Sequence, residues 1–308
     1  MSGCYAVFHK QLGDLVLLEP SLSRLRDFHG TPVRLMTRNG HADLVGLMPG
    51  VEVVRGPALV PAPALYCFDP LNKSALRSAL APVLKRHLVA PEKSELSWYH
   101  PFVFRRPSHP ELGGSYISEF FWKNTPVPSG QPFRPPVLKP PPDGWAPDGW
   151  EPGGYVLVNA TSGWKKKMWT VEGWAAVLKL LDCPCVLTSD GAGWQTAHCG
   201  GIAEASGSAL LATTLRQFLW LCANARMILT VDGAASHLAA AFGVPCFTLF
   251  GPSNIAHWHR PAPRHAAFQA PPDSDGVRRL KKLPPEPVIE AVRQFLSRSD
   301  HGRGGHAM

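Results

Sequence analysis

The sequence predicts an α/β protein of two domains, each built on a parallel sheet. Two observations carry that reading. In both halves of the chain, short apolar runs rich in branched side chains alternate with longer segments of helical spacing. Strands separated by helices imply parallel sheets covered on both faces. Between the halves, residues 126–152 are dense in proline and glycine, the composition of a stiff, irregular connector. A length of 308 residues gives each half enough chain to bury its own core.

In the first half the strand candidates are YAVF (5–8), VRLM (33–36), VEVV (51–54) and ALYCF (64–68). Between them, LVLLEPSLSRLRDF (15–28) and SALRSALAPVLKRH (74–87) carry helical spacing, the first perturbed by Pro20. Domains are expected at 1–140 and 154–284, with the connector at 141–153, and Trp145 and Trp150 in its PDGWAPDGW are expected to pack on domain surfaces. The second half restarts with YVLVN (155–159), then a helix over VEGWAAVLKLL capped by Thr170. CVLTS (185–189) and a helix over LRQFLWLCANA capped by Thr214 follow, with Leu215, Phe218, Leu219 and Cys222 on one face. MILTV (227–231), the small-residue helix SHLAAAF ended by Gly243 and Pro245, and CFTLF (246–250) complete the alternation. A last helix over 285–298 puts Val288, Ile289, Val292, Phe295 and Leu296 on one side, open to packing back on the first domain. The tail, 299–308, is expected to be disordered.

Hydrophobic content of 45% and charged content of 18% are those of a folded chain. No apolar run is long enough to cross a bilayer, and the first residues lack the layout of a secretory signal, so a cytoplasmic protein is expected. Seven cysteines without CxxC spacing read as reduced, buried thiols, and a zinc site is not expected. The net charge of +8 calls for an acidic partner. Its basic clusters, Lys85-Arg86-His87, Lys165 to Lys167 and Arg278 to Lys282, are not interleaved with aromatics, which argues against nucleic acid. Weak adhesion to an anionic membrane surface stays open.

Three segments carry chemistry, and each follows a strand, at the end of an α/β sheet where ligands bind. In VDGAASHLAAAFGVP (231–245), Asp232, Gly233 and Ala234 stand where a strand passes into a helix. Unpaired N–H groups there could hold a phosphate. The plainer alternative is a tight turn that needs glycine for its backbone angles, with Asp232 as a cap. In NATSGWKKKMW (159–169), Thr161, Ser162 and three lysines could receive a phosphate or form a charged surface loop. In KQLGDLVLL (10–18), Asp14 follows Gly13 at the first strand-to-helix turn, where a carboxylate could cap the helix or act as a general base.

Taken in order, HKQLGDLVLLEPSLSRLR, YCFDPLNKSALRSAL, VNATSGWKKKMWTVEGW and ILTVDGAASHLAAAFGVPCFTLFGPSN resemble glycosyltransferase family 9, the bacterial lipopolysaccharide heptosyltransferases. The resemblance implies a GT-B fold, two facing Rossmann-like domains with a cleft between them. It implies inverting, metal-independent sugar transfer with no cofactor, plausibly of heptose from an ADP-activated donor to a glycan or glycolipid at the inner face of the cytoplasmic membrane. On this resemblance Asp14 is the catalytic base, with Gly13 shaping its loop. Thr161, Ser162, Lys167, Asp232, Gly233, Ala234 and His237 bind the donor diphosphate, and Thr213 lies near the nucleotide base. The sequence departs from the family pattern at Gly233, where a threonine is usual, and at Ala234, where a glycine is usual. The segment PEKSELSWYHPFVFRRPSH is atypical as well. A degenerate relative that binds nucleotide or glycan without transfer is the alternative.

Overall fold

The computed structural model describes residues 3–56, 60–68, 77, 80–89, 114–189 and 193–301. The chain forms two compact units, Met1–Lys139 and Pro140–Met308. In the first, β1 (Cys4–Val7), β2 (Val33–Met36), β3 (Val51–Val53), β4 (Ala62–Cys67) and β5 (Val83–Leu88) form one sheet in the order β3-β2-β1-β4-β5. Every pairing in it is parallel. Helix α1 (Leu12–His29) connects β1 to β2, α2 (Ala42–Gly46) precedes β3, and α3 (Ile117–Asn124) packs on α1.

Strand β1 is buried along its whole length, and α1 buries almost all of its first three turns, Leu15 to Leu18 included. Helix α1 runs on through Pro20 and ends at Gly30 in the left-handed conformation. The helical spacing of 74–87 is overturned in its second part: Val83–Leu88 is the edge strand β5. Pro82 disfavours helix at the residue before it, and β4 offers a ladder that the half-exposed run VLKRHL joins as an edge strand. The rest of that segment, apart from Arg77, Leu80, Ala81 and Pro82, lies outside the described residues, as do PEKSELSWYHPFVFRRPSH and Asp69.

The proline-rich stretch is tied down where it leaves the first unit. Glu19, on α1, is fully buried and accepts both guanidinium nitrogens of Arg134 at 2.8 Å. The Val137 N–H donates to the same carboxylate at 3.0 Å and the Ser23 hydroxyl at 2.7 Å. The expected connector is therefore ordered chain, with Val127 and Leu138 buried.

In the second unit, β6 (Val156–Asn159), β7 (Cys185–Ser189), β8 (Ala209–Ala212), β9 (Met227–Val231), β10 (Cys246–Phe250) and β11 (His265–Gln269) form a parallel sheet in the order β11-β10-β9-β6-β7-β8. Its helices are α4 (Val171–Leu178), α5 (Gly193–Ser206), α6 (Leu215–Asn224), α7 (Ala234–Phe242), the single turn α8 (Ile255–Trp258) and α9 (Pro285–His301). Thr170 and Thr214 cap α4 and α6 through their hydroxyls, as their positions predict. Trp145 and Trp150 lie on this unit, Trp145 under Arg216 and Trp150 edge-on to Tyr155. All seven cysteines are free and six are buried.

Helix α9 corrects an expectation. Val288, Val292 and Phe295, the stripe left open to pack on the first domain, are buried in the core of the second unit, where Phe295 meets Phe247. The helix also takes in the first three residues of the tail expected to be disordered, and 302–308 lie outside the described residues. Among the described residues no helix is long and apolar enough to cross a membrane.

The core of this unit turns on Trp169. Its indole is buried, donates to the Leu283 carbonyl at 2.8 Å and packs edge-on against Trp174 at 5.5 Å. Gly173, on α4, gives it room: a Cβ there would lie 2.4 Å from the Trp169 ring.

Two stability predictions follow from these contacts. Gly173→Ala should destabilise the protein by about 1–3 kcal/mol through overpacking, although alanine is the better helix former by about 1 kcal/mol. Urea unfolding followed by tryptophan fluorescence gives the sign. Glu19→Ala removes the acceptor of the Val137 N–H and the carboxylate partner of the half-exposed Arg134 and should cost about 1–3 kcal/mol, measured by the same transition.

Candidate donor site

In each sheet the strand order reverses at one place, between β1 and β4 in the first unit and between β6 and β9 in the second. Open α/β sheets bind ligands outside the carboxyl ends of the strands at such a point. The segments beyond β6 and β9 are 160–168 and 232–233, so the topology alone brings them side by side. Asn159 pairs in register with Thr230, and the Thr230 hydroxyl donates to the Asn159 carbonyl at 3.1 Å.

The two segments touch through charge. Lys167 Nζ lies 2.5 Å from Asp232 Oδ2, and both side chains are largely buried, 17% and 4% exposed. The position of Lys167 is set two residues away by the buried Trp169, and a 3-10 turn over Lys165–Lys167 delivers it. Asp232 is fixed by its own N–H, which donates to the Leu249 carbonyl of β10 at 3.0 Å. A Lys–Asp pair at this distance gains a charge-assisted hydrogen bond.

Thr161 is buried and Ser162 half-buried. The Ser162 carbonyl accepts from Gln195 Nε2 at 3.0 Å, so α5 holds the loop from behind. Gly233 is extended, with φ −177°, a conformation open to any residue, so the backbone does not demand glycine there. A Cβ at Gly233 would meet Ser162 Cβ at 3.7 Å and the Thr161 carbonyl at 4.0 Å, ordinary contacts. The tight-turn account of Gly233 is thereby corrected: its lack of a side chain leaves space beside Thr161 and Ser162. Ala234 begins α7, whose first N–H groups have no intrahelical acceptor.

His237 is on the first turns of α7, buried, with its ring 6.3 Å from that of Trp258. Burial holds its imidazole down to about 4, with Asp232 opposing and Lys167 and His259 adding to the shift. His259 is held to about 4 for the same reason, helped by His265. Both imidazoles are therefore neutral near pH 7. Thr213 is not part of this group: it follows β8, two strands from β6, or about 10 Å, and its N–H donates to the Ser189 carbonyl at 3.3 Å.

Gly13 and Asp14 belong to the first unit. Gly13 is buried in the first turn of α1. The Asp14 carboxylate accepts the Gln11 N–H at 3.3 Å in a capping box, and Arg38 steadies the same loop through the His9 carbonyl and Gln11 Oε1. The cap role of Asp14 is thus realised in its simplest form. Sequence reasoning missed Gln195, whose role depends on a loop 33 residues earlier, and Trp258.

Three histidines, His237 buried and His41 and His259 half-buried, set an acid limit. The folded-state values of His237, His259 and His41 lie near 4, below an ordinary value of 6.5, so the unfolded chain takes up protons first as pH falls. Their contribution to stability is full above pH 6.5 and is lost as pH falls from there to 4. His237→Gln should reduce the slope of unfolding free energy against pH in that window by about 1.4 kcal/mol per pH unit. Urea titrations at stepped pH measure it.

Comparison with known proteins agrees with this architecture. Residues 146–275 match the model of glycosyltransferase family 9 (heptosyltransferase). None of the curated proteins matches the chain. Among solved structures, the Escherichia coli heptosyltransferase WaaC with ADP superposes with a TM-score of 0.77 at 18% identity, covering 96% of this chain and 99% of that one. E. coli ADP-heptose lps heptosyltransferase II gives 0.76 at 18% identity, with 97% and 100% covered. A family 9 glycosyl transferase from Veillonella parvula gives 0.77 at 14% identity, with 96% and 97% covered. Residues 146–275, the stretch that matches glycosyltransferase family 9, thus lie in a chain with the GT-B fold of the E. coli heptosyltransferases.

Proposed function

We propose that this glycosyltransferase moves a sugar, heptose from ADP-heptose, to a hydroxyl of a glycan or glycolipid such as the lipopolysaccharide core, with inversion and without a metal ion. The observation that carries the reading is the Lys167–Asp232 contact at the switch point of the second sheet. It puts a cation on Asp232 at the start of α7, where Gly233 lies beside residues 161 and 162. Among titratable groups, His237 stays neutral there and adds no charge of its own. WaaC has been solved with ADP and with ADP-2-deoxy-2-fluoro heptose, which supports an ADP-sugar as donor.

In this reaction the acceptor oxygen attacks the anomeric carbon from the face opposite the diphosphate, and the glycosidic bond to phosphate breaks. Asp14 takes the acceptor proton. The departing diphosphate is stabilised by positive charge and by helix N–H groups, the kind of preorganised electrostatics that contributes most to many enzymes. Thr213 lies on the base side of the donor. The net charge of +8 suits peripheral attachment to the anionic inner face of the cytoplasmic membrane.

The test is heptose transfer by wild type and variants alongside ADP calorimetry. Asp14→Asn keeps an oxygen for the Gln11 N–H but cannot accept the proton. Turnover should fall about 10²–10⁴-fold with donor affinity and melting temperature unchanged. Lys167→Ala should weaken ADP by about tenfold or more, and should also destabilise the fold by leaving the buried Asp232 alone. Lys167→Ala/Asp232→Asn should recover the stability and not the affinity. Equal rates for wild type and Asp14→Asn remove Asp14 from the mechanism, and ADP binding without transfer by wild type marks a binding protein.

A further inference from the structure

We propose that Lys166, carried on the exposed face of Trp164, supplies the net positive charge that this chain offers to the donor diphosphate, and that Trp164 is the residue that positions it. The inference rests on residues 161–167 being the diphosphate-binding loop.

The argument begins with charge. Lys167 is the cation nearest the switch point, yet at 2.5 Å from Asp232 it belongs to a neutral pair. Each phosphate of a diphosphate diester carries a negative charge, and the N-terminus of α7 offers about half a positive charge in return. A neutral pair can donate hydrogen bonds to such a ligand but cannot balance it. Compensation has to come from another cation within reach.

The three consecutive lysines are placed differently. Lys165 Nζ lies 5.4 Å from the ring centre of Trp194, on α5. Lys166 Nζ lies 4.5 Å from the ring centre of Trp164, and Lys167 Nζ lies 5.2 Å from that same ring. Two ammonium groups therefore converge on one indole. Asp232 neutralises one of them, and among the described residues no carboxylate pairs with the other.

Trp164 is 59% exposed, so burial does not account for it. Its backbone is nevertheless fixed: its N–H donates to Ser162 Oγ at 3.2 Å, and its carbonyl accepts from the same hydroxyl at 3.2 Å. An indole held this way attracts a cation to its face and restricts a lysine that would otherwise sweep through solvent. It keeps the Lys166 ammonium on the ring that the Lys167 ammonium also approaches, within the loop that receives the phosphate. The indole acts through Lys166 rather than on the ligand.

Both side chains are exposed enough for their variants to fold, and calorimetry of the full chain with ADP tests the proposal, with melting temperatures recorded in parallel. Lys166→Gln should weaken ADP about tenfold at low salt with an unchanged melting temperature. The difference should shrink in 1 M KCl, where charges are screened beyond about 3 Å. Trp164→Leu should give a smaller loss, Trp164→Phe should restore most of it, and Lys166→Gln/Trp164→Leu should match Lys166→Gln alone. Wild-type affinity in Lys166→Gln overturns the proposal. A Trp164→Leu loss that persists in the Lys166→Gln background overturns the positioning role, because the indole then touches the nucleotide itself. Failure of the wild type to bind ADP overturns the donor reading, and this inference with it.

Discussion

The second unit depends on the burial of one indole. Trp169 fills the space that Gly173 leaves open on α4, meets Trp174 and hydrogen-bonds to Leu283 just ahead of α9. The end of the loop after β6, the helix that follows it and a segment 114 residues away are thereby fixed to one ring. The loop from β6 must pass this anchor, so the residue two positions earlier has little freedom, and Lys167 reaches Asp232 without a cap or a strand to hold it. Packing in the core, together with the 3-10 turn over Lys165–Lys167, sets the geometry of the charged pair.

Parallel topology does the remaining work. With every strand of a sheet pointing one way, all strand ends collect at one edge, and the reversal of order between β6 and β9 opens a gap between their following segments. What lines that gap is electrostatically sparse: a neutral Lys–Asp pair, a neutral imidazole and the start of a helix of small residues. Alanine at Ala234, Ala235 and Ala239 keeps α7 close to the sheet and leaves its first N–H groups uncovered.

Much of this was legible in the chain, and the parts that were not share a cause. The strands β6, β7, β9 and β10 are runs of branched and aromatic residues, which locate themselves. Strand β11, HAAFQ, has no branched residue, and β5, VLKRHL, follows a stretch with helical spacing, so local pattern misled in both cases. Lys167 and Asp232 were readable because each stands just past a strand, and because the sequence resembles a family with functional residues there. Gln195 and the pairing of Glu19 with Arg134 carry no local signal, since each takes its meaning from a partner that only the fold brings near. The backbone at Gly233 illustrates the converse: glycine suggested a strained turn, and the chain there is simply extended.

The Glu19–Arg134 clamp has a consequence for the order in which the chain can fold. The carboxylate belongs to the first helix made, and its partner arrives 115 residues later, after every strand of the first sheet. Contacts of such sequence separation form late, since the loop they close must be ordered first. On a ribosome, α1 can lie against a growing sheet while Glu19 remains solvated at its surface. The carboxylate can be sealed in only once the proline-rich stretch has emerged. That stretch is thus the closing piece of the first unit, and synthesis of the second begins as the first becomes able to complete itself.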